Sequence, residues 1–539
     1  MLHQVVRNAR HLGAPFSAYR SVLEEYGDDN FDLGSVIVAP LGMIGKRSLP
    51  LYYSRIFWAK ALTKHHRRLC GPFSKSWQKK SLNKNCLSGR QCIKGNLRLE
   101  TIEKLDKLSR KQTQVYVEGH GCSASLADTE IITGIIGHEG FAITDTPSKA
   151  DISVLVTCSV KSITEARMIE RIKDLSHDGR KLIVAGCLPK ADPKKILSIS
   201  PSLSMIGPGD VDKIVPAVES TLENHHFVSL SSSKLVKVGL PRSRRNQTIG
   251  IVEIASGCLS ACTFCQVKLV KGTIFSYPEK DIIDEVKSMV SSGVREIWLT
   301  STDNAAYGRD SRSSLSDLVR KIANLDGDFM IRVGMMNPLL TDSQRDELIE
   351  IFNHDKVFKF LHLPVQSGSN RILKLMRRGY DVEDYLQTVR TFRESIKDLT
   401  LSTDIIVGFP SETEEDFQDS LQLIKDSQPD VLNLSRFGAR EGTSAAVMPN
   451  QVTPAVSKQR SRLMSQYWRS VSLARNRKWI SWRGTALVDE TVRGAVIARN
   501  PSYKPCVIKS DSFKVSVGEK VTVKIFGATP FTLRAELSN

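Results

Sequence analysis

No run of about 18 consecutive apolar residues occurs in the 539-residue sequence, so neither a membrane-spanning helix nor a membrane partner is expected. The longest apolar stretch near the start, Val36 to Ile44, is broken by Pro40 and Gly42. The same end lacks the basic, apolar, small-residue order of a secretory signal, and a cytoplasmic location is the expectation. Cysteine is sparse, at 10 residues, which excludes a small disulfide scaffold and makes the spacing of the thiols more telling than their number. Acidic residues are in deficit. Asp and Glu total 58 against 76 Lys and Arg, leaving a net charge of +18 that suits a polyanionic partner such as nucleic acid. Hydrophobic residues at 41% and charged residues at 25% provide for real cores and exclude a wholly disordered chain, a collagen or a coiled coil. At about 150 residues per domain, three or four domains are expected.

The charge is uneven. Residues 1–110 hold 20 Lys and Arg against 8 Asp and Glu, so 12 of the 18 net charges lie in the first fifth. This stretch shows no strand–helix alternation and reads as a basic, low-order extension. Its acidic cluster Glu24, Glu25, Asp28, Asp29 and Asp32 argues against a transit peptide. Its Cys70, Cys86 and Cys92 form no C-x2-C pair and read as unpaired surface thiols. Order begins near Gln114. Val115–Val117, Ile152–Thr157, Lys181–Ala185 and Leu203–Ile206 read as strands, with helices at 126–136, 161–175, 191–198 and 211–221. Strands alternating with helices at this pitch predict a parallel sheet, and 111–225 reads as one α/β domain. Residues 226–247, rich in Ser, Lys and Arg, read as a linker. A second series follows over 248–470, with strands predicted at Ile249–Ile254, Glu296–Thr300, Met330–Gly334, Phe360–Pro364, Thr400–Val407 and Val431–Ser435. Six such units are too few for a full eight-fold barrel. A basic helix from Val456 to Lys478 leads into 471–539, whose short Val- and Thr-rich strands and Gly turns predict a small all-β barrel or sandwich.

Cys258, Cys262 and Cys265 form C-x3-C-x2-C within GCLSACTFC, directly after the first strand of the second series. Three thiolates on one tight loop can hold three irons of a cubane cluster and leave the fourth iron open. A structural zinc normally takes four protein ligands, and no fourth is nearby, since Gln266, Val267 and Lys268 follow. The bland alternative is three incidental thiols. The second triad is spread out: Cys122 in GHGC, Cys158 in VTCSV and Cys187 in AGCLP each follow a strand of the first series. Parallel strands bring such positions to one edge of the sheet, so a second ligand set is predicted there.

The C-x3-C-x2-C loop at the head of a six-unit βα series resembles the radical S-adenosylmethionine (SAM) enzymes, and Phe264 between the second and third Cys fits them too. The resemblance implies that Cys258, Cys262 and Cys265 are catalytic. Their open iron would bind the amino and carboxylate groups of the methionine moiety, and the reduced cluster would cleave SAM to a 5′-deoxyadenosyl radical. Thr302 and Asp303, and Gln366 and Ser367, close strand ends where SAM contacts would fall; a loop-capping role is the alternative for each.

Two three-cysteine sites in this order, followed by a small β tail, resemble the methylthiotransferases over about 111–539. AAYGRD (Ala305–Asp310), HLPVQSGS (His362–Ser369), TDIIVGFPSET (Thr403–Thr413) and REGTSAA (Arg440–Ala446) match as well. The tail resembles the TRAM domain, an RNA-binding module. EIWLTSTDNAAYGRD and VGMMNP look most like the branch that modifies N6-threonylcarbamoyladenosine in tRNA of archaea and eukaryotes. The resemblance implies two 4Fe–4S clusters, SAM, a tRNA partner, and separate electron and sulfur donors. Methylthiolation of isopentenyladenosine or of a ribosomal protein, and a non-enzymatic iron–sulfur RNA-binding sensor, are the alternatives. Ser125, Val156, Lys271 and Ser411 depart from the family pattern, and none of them is a cysteine ligand. His362 lies on an apolar strand and fits either a core or a site role. Arg436, Phe437, Arg440 and the basic helix are candidates for RNA contact, with a solvated surface as the alternative.

Overall fold

A computed structural model describes residues 110–538, apart from 160–161, 493 and 510–514. The extension up to residue 109, with Cys70, Cys86 and Cys92, lies outside the described residues.

The first domain is a parallel sheet of β1 (Gln114–Gly119), β2 (Ala142–Thr144), β3 (Ile152–Thr157), β4 (Leu182–Gly186), β5 (Ser204–Ile206) and β6 (Val228–Ser229), in the order β2-β1-β3-β4-β5-β6. Alternation at period two sorts its side chains onto two cores. Val115, Val154, Val156 and Ile183 face Ile131, Ile132 and Ile136 of the helix Ser123–His138. Tyr116, Leu155, Leu182 and Val184 face Met168, Ile172 and Leu175 of the helix Ser162–Ser176. Burial on both faces explains why β3 and β4 read as unbroken apolar runs. The helix expected over 191–198 is two short ones, Cys187–Ala191 and Pro193–Leu197. Pro193 keeps Asp192 out of helical geometry, and the Asp192 side chain instead caps the second helix through Lys195 N at 3.0 Å.

The second domain carries β7 (Ile249–Glu253), the short antiparallel pair β8 (Ala255–Ser256) and β9 (Phe275–Ser276), then β10 (Glu296–Thr300), β11 (Met330–Val333), β12 (Phe360–His362), β13 (Thr400–Val407) and β14 (Val431–Arg436). Six of these run parallel, as β11-β10-β7 and β12-β13-β14, and the two sheets meet at the Ile331–Val357 bridge. The result is a partial barrel. β12 stops at His362, short of Pro364, which has no N–H to give to a ladder.

The helix Pro454–Arg477 packs along β14, with Met464 and Trp468 in the barrel core. Several of its cations are not on a solvated face: Arg460 is buried against Glu412 at 2.7 Å, Arg475 pairs with Asp430 at 2.6 Å, and Arg469 lies over the Phe531 ring. Lys458, Arg462, Arg477 and Lys478 are exposed. The tail is a closed barrel of β15 (Arg483–Val492), β16 (Ala495–Arg499), β17 (Pro505–Lys509), β18 (Lys520–Ala528) and β19 (Leu533–Leu537), in the order β15-β16-β17-β19-β18. Among the described residues no helix is long and apolar enough to cross a membrane.

Asp430 docks this tail on the partial barrel. It accepts from Lys504 Nζ at 2.7 Å, Arg475 Nε at 2.6 Å and the Leu401 amide at 2.9 Å. Burial pushes its pKa up, but Lys504 and Arg475 outweigh it and hold the carboxyl at about 2. Because the folded pKa lies below the usual 3.8, this stabilisation is full above that value and is lost as pH falls through about 2. Asp430→Asn leaves the buried Lys504 and the half-buried Arg475 without their anion and should cost about 3–5 kcal/mol. Thermal denaturation at neutral pH measures the loss, and an unchanged midpoint would contradict it.

Candidate active site

β1, β3 and β4 are consecutive in the sheet, so their carboxyl ends form one short edge. Cys122 is the N-cap of the helix that follows β1, Cys158 follows β3 directly, and Cys187 opens the helix after β4. The predicted convergence is present. Gly121 makes it possible: at φ +129° its backbone passes so close that an added Cβ would stand 2.3 Å from Cys158 Cβ. Cys122 is exposed and Cys158 is buried. Hydrogen bonding from Cys158 holds the Cys122 thiol well below its ordinary pKa, whereas burial pushes Cys187 up to about 11. Ser125, one of the departures from the family pattern, stands 3.6 Å from Cys122 Sγ.

The second triad occupies the loop between β8 and the helix Val267–Lys271. Cys258 N donates to Gly272 O at 3.2 Å, Thr263 N to Met376 O at 3.2 Å, and Val267 N to Cys265 Sγ at 3.4 Å. The loop is therefore held at both ends and in the middle. Burial pushes the Cys258 thiol up, and pushes Cys265 to about 11. Phe264 is half-buried, edge-on to Phe409 at 6.5 Å.

Among the described residues no group of three or more His, Cys, Asp and Glu stands at the spacing of ligands on a single metal ion. Two sets of three soft thiols without a fourth suit iron–sulfur clusters, in which each cysteine takes its own iron and the sulfurs stand farther apart.

Asp303 lies at the carboxyl end of β10. Its Oδ1 accepts from Asn337 N at 2.9 Å and Ala305 N at 3.2 Å, while its buried Oδ2 has no hydrogen-bond partner. Burial raises its pKa to about 6. Asn337 also donates to Ser260 Oγ of the cysteine loop at 3.0 Å, which ties Asp303 to the triad. A bound ammonium group would offset the cost of that unpaired oxygen, so the position fits the methionine end of SAM. Thr302 is half-buried beside it. Gln366 sits at the corresponding end past β12 with φ +80°, paired with Asp404 and Ile406 through its backbone, and Ser367 is buried next to it. His362 Nε2 is hydrogen-bonded to Asp404 Oδ2 at 2.6 Å. Arg440, expected at an RNA-facing rim, is buried and paired with Glu165 of the first domain. Phe437 packs on Phe409 at 5.5 Å.

Most of the charges that join the two cysteine sites left no mark in the sequence pattern. Lys237, only 2% exposed and within the stretch read as a linker, reaches Asp128 at 2.6 Å and Glu253 at 3.1 Å. Lys271 reaches the same Glu253 at 3.1 Å, and its helix packs against the one that begins at Cys187. Tyr277 donates to the other Glu253 oxygen at 3.1 Å. Burial pushes Glu253 up, but the two lysines win and hold it at about 2. The one legible hint was Glu253 itself, a charge that closes the apolar strand β7.

Three families match in the order of the domains. The uncharacterized protein family UPF0004 covers 114–207, the radical SAM superfamily 252–424 and the TRAM domain 485–538. A probable threonylcarbamoyladenosine tRNA methylthiotransferase of Pyrococcus horikoshii is 40% identical over 399 residues, covering 73% of this chain and 93% of that protein. The chain belongs to the threonylcarbamoyladenosine tRNA methylthiotransferase family. A human member of the family, threonylcarbamoyladenosine tRNA methylthiotransferase, is 35% identical over 424 residues, covering 77% of this chain and 72% of its own. Among solved structures, a radical SAM methyltransferase of Kitasatospora setae is similar at 14% identity and a TM-score of 0.47, covering 62% of this chain and 74% of that one. As a member of the family the chain is a radical SAM enzyme with an iron–sulfur cluster, which sets aside the non-enzymatic sensor.

Gly257 offers a direct check on the loop. Its φ is +79°, and an added Cβ would stand 2.1 Å from Thr273 O. Gly257→Ala should cost about 1–3 kcal/mol of backbone strain. It should displace Cys258 and reduce the iron bound after anaerobic reconstitution. A full iron load would mean that the loop is not the cluster site.

Proposed function

We propose that this chain adds a methylthio group to C2 of N6-threonylcarbamoyladenosine beside the anticodon of tRNA, with SAM and two 4Fe–4S clusters. The observation that carries the reading is the pairing of two three-thiol sites across one buried wall, in a chain whose relatives carry that activity in their names. Those names favour threonylcarbamoyladenosine over isopentenyladenosine or a ribosomal protein.

Cys258, Cys262 and Cys265 would hold one cluster, and Cys122, Cys158 and Cys187 the other. When bound, the first supplies the electron that cleaves SAM to a 5′-deoxyadenosyl radical and the second carries the sulfur that becomes the methylthio group. Asp303 Oδ2 would receive the ammonium group of SAM, with Thr302, Gln366 and Ser367 lining the neighbouring strand ends and Phe264 contributed by the loop itself. Lys271 and Lys237 neutralise the carboxylates between the two sites, so neither site faces an uncompensated anion. The tail barrel turns Lys524 and Phe526 outward on β18, a cation beside an aromatic ring that is 55% exposed, which suits phosphate contact and base stacking on RNA. The electron and sulfur donors would be separate molecules.

The test divides the labour. Reconstituted protein should hold about eight irons, and Cys258, Cys262 and Cys265 all changed to Ala should leave about four. Cys262→Ala should abolish reductive cleavage of SAM. Cys158→Ala should still release 5′-deoxyadenosine but insert no sulfur. Equal loss of SAM cleavage in both single variants would defeat the two-site reading.

A further inference from the structure

Arg378 reaches the cysteine loop from outside the sequence motifs. Its Nη1 donates to Cys262 Sγ at 3.2 Å. Its other donors are fixed: Nε gives to Tyr380 Oη at 2.8 Å and Nη2 to Pro364 O at 3.1 Å. Tyr380 in turn donates to Val365 O at 2.8 Å, and the guanidinium lies 5.2 Å from the Tyr380 ring centroid. Arg378 is buried, and none of its hydrogen-bond partners is a carboxylate. A buried cation without an ion-pair partner is costly. Two groups stand to balance it: the Asp303 carboxylate, which feels its charge, and the sulfur of Cys262, to which it donates.

We infer that Arg378 is a positioning residue that raises the reduction potential of the cluster held by Cys258, Cys262 and Cys265, by directing a fixed positive charge and a hydrogen bond at the Cys262 sulfur. The inference rests on the cluster assignment proposed above. One-electron reduction adds a negative charge to the cluster. A cation held nearby in a water-poor setting stabilises the reduced form more than the oxidised one. Hydrogen bonds to the ligand sulfurs act in the same direction. The planar fork of arginine allows one side chain to serve the sulfur, Tyr380 and Pro364 O at once.

The experiment uses the full chain with Cys122, Cys158 and Cys187 changed to Ala, so that a single cluster gives the signal. Iron content and the paramagnetic resonance spectrum of the reduced sample come first; absence of a cluster at this stage would defeat the cluster assignment and the inference with it, whereas a cluster whose potential does not respond to Arg378 would defeat the inference alone. Spectroscopically monitored redox titrations then compare the Arg378 chain with Arg378→Met and Arg378→Lys, without SAM. At equal iron load, Arg378→Met should shift the midpoint to lower potential, and Arg378→Lys should recover most of the shift. If Arg378→Met does not retain its cluster, Arg378→Gln takes its place as the neutral variant, with the same shift expected. An unchanged midpoint in the neutral variant overturns the inference. So does an equal shift in the lysine variant, or loss of the cluster from all three, because each would mark a purely structural arginine.

Discussion

Four buried charges, Asp128, Lys237, Glu253 and Lys271, hold the two cysteine sites to one another. They come from the helix after Cys122, the segment between the domains, the strand before the C-x3-C-x2-C loop and the helix after it. Two carboxylates and two ammonium groups balance, which is what makes their burial tolerable. Removing any one would leave a charge in a dry interior, so the relative placement of the two sites is strongly determined. The Glu165–Arg440 pair ties the same two domains at a second point. A chemistry that brings a radical and a sulfur to one carbon needs that fixed geometry more than it needs affinity.

The carboxyl ends of parallel strands do the rest of the positioning. The segments after β1, β3 and β4 supply one triad and the segment after β7 the other, while Asp303 follows the end of β10 and Gln366 the end of β12. At the far end of the chain, the tail barrel is fixed through Asp430 and through Tyr503, whose hydroxyl donates to Glu296 of β10 at 2.9 Å. An RNA held on the outward face of β18 would thus be held at a set distance from the thiols and not on a loose tether.

Much of this was legible in the sequence because it rests on local pattern. Strands of β-branched and apolar runs, most of them buried on both faces, let all six strands of the partial barrel and four of the first sheet be placed to within a few residues. β2 and β6 could not, since edge strands of three and two residues leave no run to read. Both cysteine triads were legible as groups because their members follow strand ends. The charge pairs were not: Lys237 and Asp128 lie 109 residues apart, and Arg378 and Cys262 lie 116 apart. A lysine in a polar stretch looks solvated until the fold folds it in. The same limit made Arg440, Arg460 and Arg475 look like solvated or RNA-facing cations when each is committed to a carboxylate.

The most direct measurement of the central claim is mass spectrometry of the modified nucleosides in tRNA from cells lacking this gene, with the wild-type chain or the Cys158→Ala chain returned. The account requires that N6-threonylcarbamoyladenosine accumulate without its methylthio group in the deletion. The wild-type chain should restore the methylthio group and the Cys158→Ala chain should not. If the methylthiolated nucleoside persists in the deletion, or if only methylthiolated isopentenyladenosine is lost, the assignment of this chain to threonylcarbamoyladenosine is contradicted.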